Sequence, residues 1–545
     1  MEKRILVAFV LSFGVLYAFR ALYTPTSSPP GGSETAQQAP ATSVPASTSP
    51  PPQVATENSV TTSEIVPEGD IRAEKPEEFV VDSALYRATV SNAGGVLKSY
   101  VLKTYKDAQG RPIELIDAAG ASQLGWPLKL ATGDAALDEA LERANFAVKR
   151  DSQKLEMQFA ANGIYARKSL EFDPSKYEFQ LNSTVTKDRT AIPHSVVWQS
   201  GFGDQSVAHD PSRKNAVHEA GADFERTNLG GIEEPVEVVT TRAGVEDQYF
   251  LSMFLLPVAG PAKIEKREYK QGETAISSLY VSTPADSGKP LRIYVGPKDE
   301  GALQRSDPRL SAVIDYGFFA FIARPLIFAL LWLHGYIGNF GWAIIILTVA
   351  INFVLFPLRL KQQVSMQKMQ KIQPQMRTLQ DKYKKLKASD PRRAQIQAEM
   401  MGLYKEHGVN PMGGCLPLLL QIPFFAAIWT MLSVSIELRQ APWILWIKDL
   451  SQRDPYYIIP VLMAVSMVVM QKMTPTTVDP SQAKIMMAMP LVFAVMFLQA
   501  QSGLTLYWLT SNVVGIVQQY FMNKYWTPAT DASSSRSPRR EPRTQ

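Results

Sequence analysis

The sequence predicts a polytopic α-helical membrane protein of six transmembrane helices that carries one large all-β domain outside the membrane. Three observations lead there. Apolar runs of spanning length occur once at the amino terminus and five times after Gly338. Between them, Phe79 to about Pro308 reads as short runs in which apolar and polar residues alternate, the pattern of half-buried antiparallel strands. Third, the segment 359–412 holds twelve Lys and Arg against four Asp and Glu, a net of +8 in a chain whose total is only +5.

In chain order, residues 1–23 form an anchor: Ile5 to Tyr23 is apolar and follows Lys3 and Arg4. The flank Arg20-Ala21-Leu22-Tyr23-Thr24-Pro25 offers no small-residue cleavage site, so an uncleaved signal anchor with its amino terminus inside is expected. Residues 24–76 are rich in Pro, Ser, Thr and Ala and read as a disordered tether that cannot bury a core. Residues 77–310 are the β domain, with alternation at Leu155, Met157, Phe159; Tyr177, Phe179, Leu181, Val185; and Leu291, Ile293, Val295. Residues 311–336 read as an amphipathic helix lying in the membrane interface. Arg324-Pro325 interrupts its apolar run, and if it crossed, the +8 segment would fall outside, against the positive-inside tendency.

Residues 337–522 hold the remaining spans, Phe340 to Leu358, Gly413 to Ile436, Tyr456 to Met473, Ile485 to Ala500 and Leu504 to Met522. The first is 19 residues, which at about 1.5 Å per residue matches a hydrocarbon core of about 30 Å. The basic segment 359–412 reads as a cytoplasmic helical hairpin, its first helix running to Lys387 and its second opening at Ser389-Asp390-Pro391, an N-cap followed by a first-turn proline. Its surface charge and methionines 366, 369, 376, 400 and 401 suit an adaptable cationic surface, or equally a solvated hairpin against lipid headgroups. Residues 523–545 are a basic cytoplasmic tail.

The single cysteine, Cys415, excludes an intramolecular disulfide and a paired-cysteine metal site. No nucleotide loop, metal-ligand spacing or nucleophile with a base occurs in the membrane half, so no catalytic residue, metal or cofactor is expected there. Polar residues inside the apolar runs recur instead: Thr348 and Asn352, then Gln421, then Thr505, Trp508, Asn512 and Gln519, each set spaced to share a helical face. Unsatisfied amides in hydrocarbon are costly, so these groups face one another in a tight bundle or line a hydrated groove; the residues leave both open. A sugar-binding or sugar-converting site built on Asp204, His209, Asp210, His218 and Glu219 is a rival reading, as is a polytopic transporter, although no repeated halves are visible.

The runs Asn410-Pro411-Met412-Gly413-Gly414-Cys415-Leu416-Pro417, Gln421-Ile422-Pro423, Glu437-Leu438-Arg439-Gln440-Ala441-Pro442, Asp454-Pro455-Tyr456-Tyr457, Gln471-Lys472-Met473-Thr474-Pro475 and Ser511-Asn512 closely resemble the bacterial YidC membrane protein insertases, the long form of the YidC/Oxa/Alb family. The resemblance is densest between Gly338 and Trp526. It implies a periplasmic β-supersandwich of the sugar-mutarotase type, an interfacial helix, a five-helix insertase core and an inner-membrane location. It further implies a hydrophilic groove, here Thr348, Asn352, Gln421, Thr505, Trp508 and Asn512, and a basic hairpin whose contacts are Arg359, Lys368, Lys371, Arg377, Lys384 and Lys385. The implied partners are nascent membrane proteins, the Sec translocon, ribosome or targeting machinery and membrane lipids, with no nucleic acid read by sequence. One departure stands out: many family members carry a groove arginine where this chain has Asn352, and Arg359 is the candidate for a displaced charge.

Overall fold

The computed structural model describes residues 69–107, 109–205, 213–286, 289–384, 390–407, 416–474 and 480–525, with side chains described except at 380, 383, 384, 393, 416–420 and 480–486. The expected anchor, most of the tether, Lys385 and the carboxyl-terminal tail from Trp526 onward lie outside these residues.

The alternating segment forms two antiparallel sheets. In the smaller, β1 (Glu78–Asp82), β2 (Tyr86–Ser91), β3 (Val96–Lys106) and β4 (Pro112–Glu114) pair in sequence order. Two short helices follow, α1 (Ala118–Leu124) and α2 (Ala135–Arg143), flanking β5 (Lys129–Ala131). Asp117 and Asp134 cap them by accepting bonds from the first free backbone N–H groups. The larger sheet takes β6 (Ala147–Asp151), β7 (Lys154–Ala161), β8 (Ile164–Phe172), β9 (Glu178–Lys187), β10 (Thr190–Ala191) and β11 (His194–Trp198). It continues with β12 (Asn215–Ala220), β13 (Asp223–Asn228), β14 (Val236–Glu246), β15 (Phe250–Gln271), β16 (Thr274–Ala285) and β17 (Leu291–Pro297). Its main order is β13-β12-β14-β15-β17-β9-β8-β7-β6. The long β15 joins three partners, pairing β14 through Leu251–Ile264, β17 through Phe250–Leu255 and β16 through Lys263–Gln271. The residues that alternate in sequence point inward: Leu155, Met157, Phe179, Leu181, Val185, Leu291, Ile293 and Val295 are all buried. Pairing begins ahead of β1, since Ile71 already bridges Ala160.

A short helix, α3 (Glu300–Ser306), and a 3-10 turn, Pro308–Val313, lead to α4 (Ala320–Ile337). Gly338, left-handed at φ 70°, ends α4, a conformation glycine adopts without strain. Then come α5 (Phe340–Lys384), α6 (Arg392–Glu406), α7 (Leu416–Val434), α8 (Ile458–Met473), α9 (Pro480–Phe497) and α10 (Ser502–Tyr525). Helix α10 is the hub, packing on α5, α7 and α8, while α9 leans on α8 and α4 packs on both α5 and α7. One apolar core runs without a break from the sheets through Leu303, Leu310, Val313, Tyr316 and Ile327 into the helices.

By length and apolar composition, Ala320–Ile337 and Phe340–Leu379 are long enough to cross a membrane, and Gln421–Val434, Ile458–Met473 and Met487–Phe497 are shorter apolar helices. Helix α5 continues without interruption from the apolar run into the basic segment. Asp390 accepts from the Arg392 N–H at 2.9 Å at the start of α6. The hairpin methionines do not form one open surface: Met369, Met376 and Met400 pack with Ile372, Leu403 and Tyr404 between α5 and α6, and Met401 is exposed. Of the hairpin cations, Lys368, Lys371 and Arg377 are exposed.

Candidate functional site

The polar residues of α5, α7, α8 and α10 converge on a cavity of about 290 Å³. Helical spacing explains the α10 wall: Ser511, Gly515, Gln518 and Met522 recur at intervals of three and four and so share a face. Asn512 and Gln519 flank them, Arg359, Gln363 and Met366 come from α5, Gln421 from α7, and Met470 and Thr474 from the end of α8.

Arg359 is the charged group in this wall. Its Nη1 donates to Gln518 Oε1 at 3.0 Å, and Gln518 Nε2 donates in turn to the Asn352 carbonyl at 3.2 Å. Among the described residues no carboxylate lies within ion-pair distance of Arg359, and of the five N–H donors of its guanidinium one has a described protein acceptor. Gly515 makes room for it: a Cβ there would stand 3.4 Å from Arg359 Nη1 and 3.0 Å from Met470 Cε. Nearer the carboxyl end of α10, Gln363 Nε2 and Gln519 Nε2 both donate to Asn523 Oδ1 (3.0 and 2.9 Å), and Asn523 Nδ2 donates to the Met473 carbonyl. These bonds tie α5, α8 and α10 together and fix that end of the cavity.

The expected groove residues separate into two groups. Gln421 and Asn512 line the cavity; Asn512 Nδ2 donates to Ser466 Oγ at 2.9 Å, and Gln421 is exposed. Thr348, Asn352 and Thr505 are buried away from it. Thr348 Oγ1 donates back to the Ile344 carbonyl, and Thr505 Oγ1 to the Ser502 carbonyl. Asn352 Nδ2 donates to the Thr348 carbonyl one turn back in α5 at 2.8 Å and reaches Ser511 Oγ of α10 at 3.4 Å, so its amide is divided between its own helix and the contact with α10. Trp508 lies one turn before Asn512 in an aromatic cluster, its ring centroid 4.6 Å from Phe425, 5.0 Å from Phe497 and 5.6 Å from Phe493. Phe425 stands one turn from Gln421 just as Trp508 stands one turn from Asn512, which places a ring cluster directly beside the polar chamber. Of the expected hairpin contacts, Arg359 belongs to the cavity, and the Lys384 side chain and Lys385 lie outside the described residues. Sequence reasoning missed Ser511, Gly515, Gln518 and Gln363; the i, i+4, i+7 recurrence through 511, 515 and 518 was the available signal.

The β domain is fastened to the end of α7 and the loop that follows it. Arg439, after α7, pairs with Asp204 and stacks near Tyr249 and Phe250 at 5.5 and 5.6 Å. Gln440 Nε2 donates to the Lys106 carbonyl at 2.6 Å, and Gln248 Nε2 to the Ser433 carbonyl at 2.9 Å. The residues of the sugar-site reading are dispersed among such contacts. Asp204 holds Arg439, His218 faces Glu225 at 3.6 Å, and Glu219 bonds Arg242 at 2.6 Å and Arg309 at 2.9 Å. His209 and Asp210 lie outside the described residues. Glu437, at the same junction, is pushed up to about 7, by burial first and then by the nearby Asp299 and Glu300 carboxylates.

Two family models match the chain: the 60Kd inner membrane protein model over residues 332–529 and the YidC periplasmic domain model over residues 78–329. The protein named membrane protein insertase YidC from Syntrophus aciditrophicus is 34% identical over 96% of this chain and 100% of its own length. That of Geobacter sulfurreducens is 36% identical over 96% of this chain and 98% of its own. A crystal structure of an active YidC insertase with its first transmembrane domain resolved is 20% identical and covers 84% of this chain and 94% of that one, at a TM-score of 0.36, a likeness too loose to bear on the site.

Proposed function

Since this chain belongs to the YidC family of membrane protein insertases, we propose that it inserts membrane proteins by receiving the polar segment of a client in the cavity between α5, α7, α8 and α10. The observation that carries this is Arg359, held by one amide and by no described carboxylate at the wall of a polar chamber. A guanidinium so placed attracts acidic client residues, and the surrounding amides replace part of the water a polar segment loses on leaving the cytoplasm. Burial of the client's apolar helix in the bilayer supplies the driving force, so no nucleotide or cofactor is required. The aromatic cluster of Trp508, Phe425, Phe493 and Phe497 closes the chamber toward the β-domain side. In this reading α4 lies along the outer membrane surface, both termini and the basic hairpin are cytoplasmic, and the β domain is periplasmic. The hairpin cations Lys368, Lys371 and Arg377 meet targeting machinery, the ribosome or anionic lipid, alone or beside the Sec translocon.

The test is rescue of cells depleted of the native protein with wild type, Arg359→Ala and Arg359→Lys, following insertion of clients with acidic and with uncharged translocated tails. Arg359→Ala at normal abundance is expected to slow acidic-tail clients about tenfold, the size of one lost charge-assisted contact, and Arg359→Lys to recover part of that. Equal insertion of both client classes by all three would refute a role for Arg359.

A further inference from the structure

A second and larger cavity, about 550 Å³, opens where the β domain meets α4. Its wall includes Glu219 and Arg309, which bond each other at 2.9 Å, and also Glu300, Arg324, Tyr316 and Ser311. Of these last four, Arg324 is exposed, Glu300 and Ser311 are half-buried and Tyr316 is buried. Among the described residues Arg324 makes no ion pair, and Glu300 is hydrogen-bonded only by Gln304 on its own helix. The Ser311 hydroxyl is buried with no hydrogen-bond partner. Tyr316 is only 5% exposed and lines the same cavity. A buried hydroxyl left open, as that of Ser311 is, is expected to meet something polar.

The apolar side of the same cavity is Ile327 and Phe328 of α4. Phe328 continues along the helix into Phe321, Trp332 and Tyr336, all exposed, a stripe suited to acyl chains at a membrane surface.

We propose that this cavity holds the headgroup of a membrane phospholipid, and specifically a phosphoethanolamine. The wall is neutral in sum, with two carboxylates and two guanidiniums. One unpaired cation and one unpaired carboxylate within it match a zwitterion rather than an anion. Arg324 and the Tyr316 and Ser311 hydroxyls donate to the phosphate, Glu300 accepts from the primary ammonium, and the acyl chains lie along Phe328 and Trp332. A choline headgroup has no N–H to give Glu300, so the site discriminates against it. The lipid would brace the junction at which the β domain, α4 and the outer end of α7 meet.

The inference goes beyond insertion but rests on α4 lying at the membrane surface. It is tested on the full chain in nanodiscs of equal phosphatidylethanolamine, phosphatidylcholine and phosphatidylglycerol, by counting lipids retained in native mass spectrometry after mild delipidation. Wild type is expected to retain phosphatidylethanolamine about tenfold over phosphatidylcholine, and Arg324→Ala and Tyr316→Phe to lower its occupancy by about the same factor, one charge-assisted bond each. Glu300→Gln should abolish the preference between the two headgroups. Retention of all three lipids alike, or undiminished occupancy in Tyr316→Phe with an unchanged melting temperature, would overturn the proposal. So would complete displacement of the lipid by excess inorganic phosphate, which would mean that phosphate alone is recognised. A spin label at Tyr336→Cys in a Cys415→Ser background reads the depth of α4 separately. A label in bulk water contradicts the surface placement of α4 and with it the lipid site, whereas a label in the bilayer with no retained phosphatidylethanolamine contradicts the lipid site alone.

Discussion

Buried charge is handled in opposite ways in the two halves of the molecule. In the β domain every such group named here is closed. Arg242 lies between Glu219 and Asp307, Arg292 bonds both oxygens of Glu178, and Glu246 takes Arg226 at 3.0 Å and Lys298 at 3.3 Å. Lys168, wholly buried, donates to the carbonyls of Gly94, Gly95 and Leu128 at 2.8 to 2.9 Å. Among the helices, Arg359 is left with one amide acceptor and an open chamber. A charge whose donors are all used can only hold its own fold together, whereas a charge with donors to spare is available to a transient guest. The contrast separates a domain whose charges serve its own fold from a helical half in which the proposed client site keeps a charge open.

The largest effect that would break this contrast lies in the β domain. Lys168→Met leaves three buried carbonyls without their donor, at roughly 1 kcal/mol or more each, so a loss of about 3 kcal/mol is expected in denaturant unfolding of the purified chain. Burial lowers the Lys168 ammonium to about 7, below its value in an unfolded chain, so the unfolded state binds more protons between about pH 7 and the normal lysine range. Stability from this group is therefore lowest below pH 7 and rises with pH above it, and that rise should vanish in Lys168→Met. A variant that melts like wild type would show that Lys168 is not the strut its bonds imply.

Next in size is Gly515→Leu, which fills the chamber against Arg359 and Met470. Insertion should fall several-fold at unchanged abundance. Gly515→Ala should be mild, because the close atom, Met470 Cε, ends a flexible side chain. Full activity in Gly515→Leu would mean that the chamber is not used. Smaller still is Asn352→Leu. Its amide serves the contact of α5 with α10, and an interhelical hydrogen bond is worth about 0.6 kcal/mol on average, so a slight loss of thermal stability with insertion largely retained is expected. Severe loss of insertion in a stable Asn352→Leu would move the working polarity from Arg359 to Asn352.

These graded expectations also show what could be read from the sequence. Alternation at Leu155-Met157-Phe159 and Leu291-Ile293-Val295 identified strands and their inner faces, because a period of two needs no knowledge of partners. The pairing of β17 with β9 could not be read, since it joins residues more than a hundred positions apart, such as Leu291 and Leu181, and nothing in the alternation says that β15 is shared by β14, β16 and β17. Within the helices, spacing gave azimuth but not depth. Asn352 and Arg359, seven apart, do lie on one face, yet one meets α10 and the other the chamber. Trp508 and Asn512 share a face in the same way but fall in the ring cluster and the polar wall. Gln518 was passed over because counting seven from Asn512 selects Gln519, and only the neighbouring helices reveal that both line the space. The hairpin methionines read as surface because their partners, on α6, approach only once the hairpin closes.

The smallest effect concerns the junction of the two halves. Glu437, pushed up to about 7, binds its proton more tightly in the folded chain than in the unfolded one. Its contribution is therefore favourable below the ordinary glutamate range and is lost as pH rises through about 7. Between pH 5 and 8 the wild type should lose slightly more stability at this junction than Glu437→Gln, read by hydrogen exchange of the backbone around Arg439. Equal pH dependence in the two would show that the Glu437 carboxyl is not buried against Asp299 and Glu300.

The most direct measurement is photocrosslinking of ribosome-bound membrane-protein chains of increasing length, with a photoreactive amino acid placed in turn at Asn512, at Gln363 and, as control, at Lys266 on the exposed side of the β domain. The account predicts client adducts from 512 and 363 that appear as the polar segment emerges and vanish once the apolar helix is released to lipid, with none from 266. Adducts from 266 in the absence of any from the chamber would contradict it.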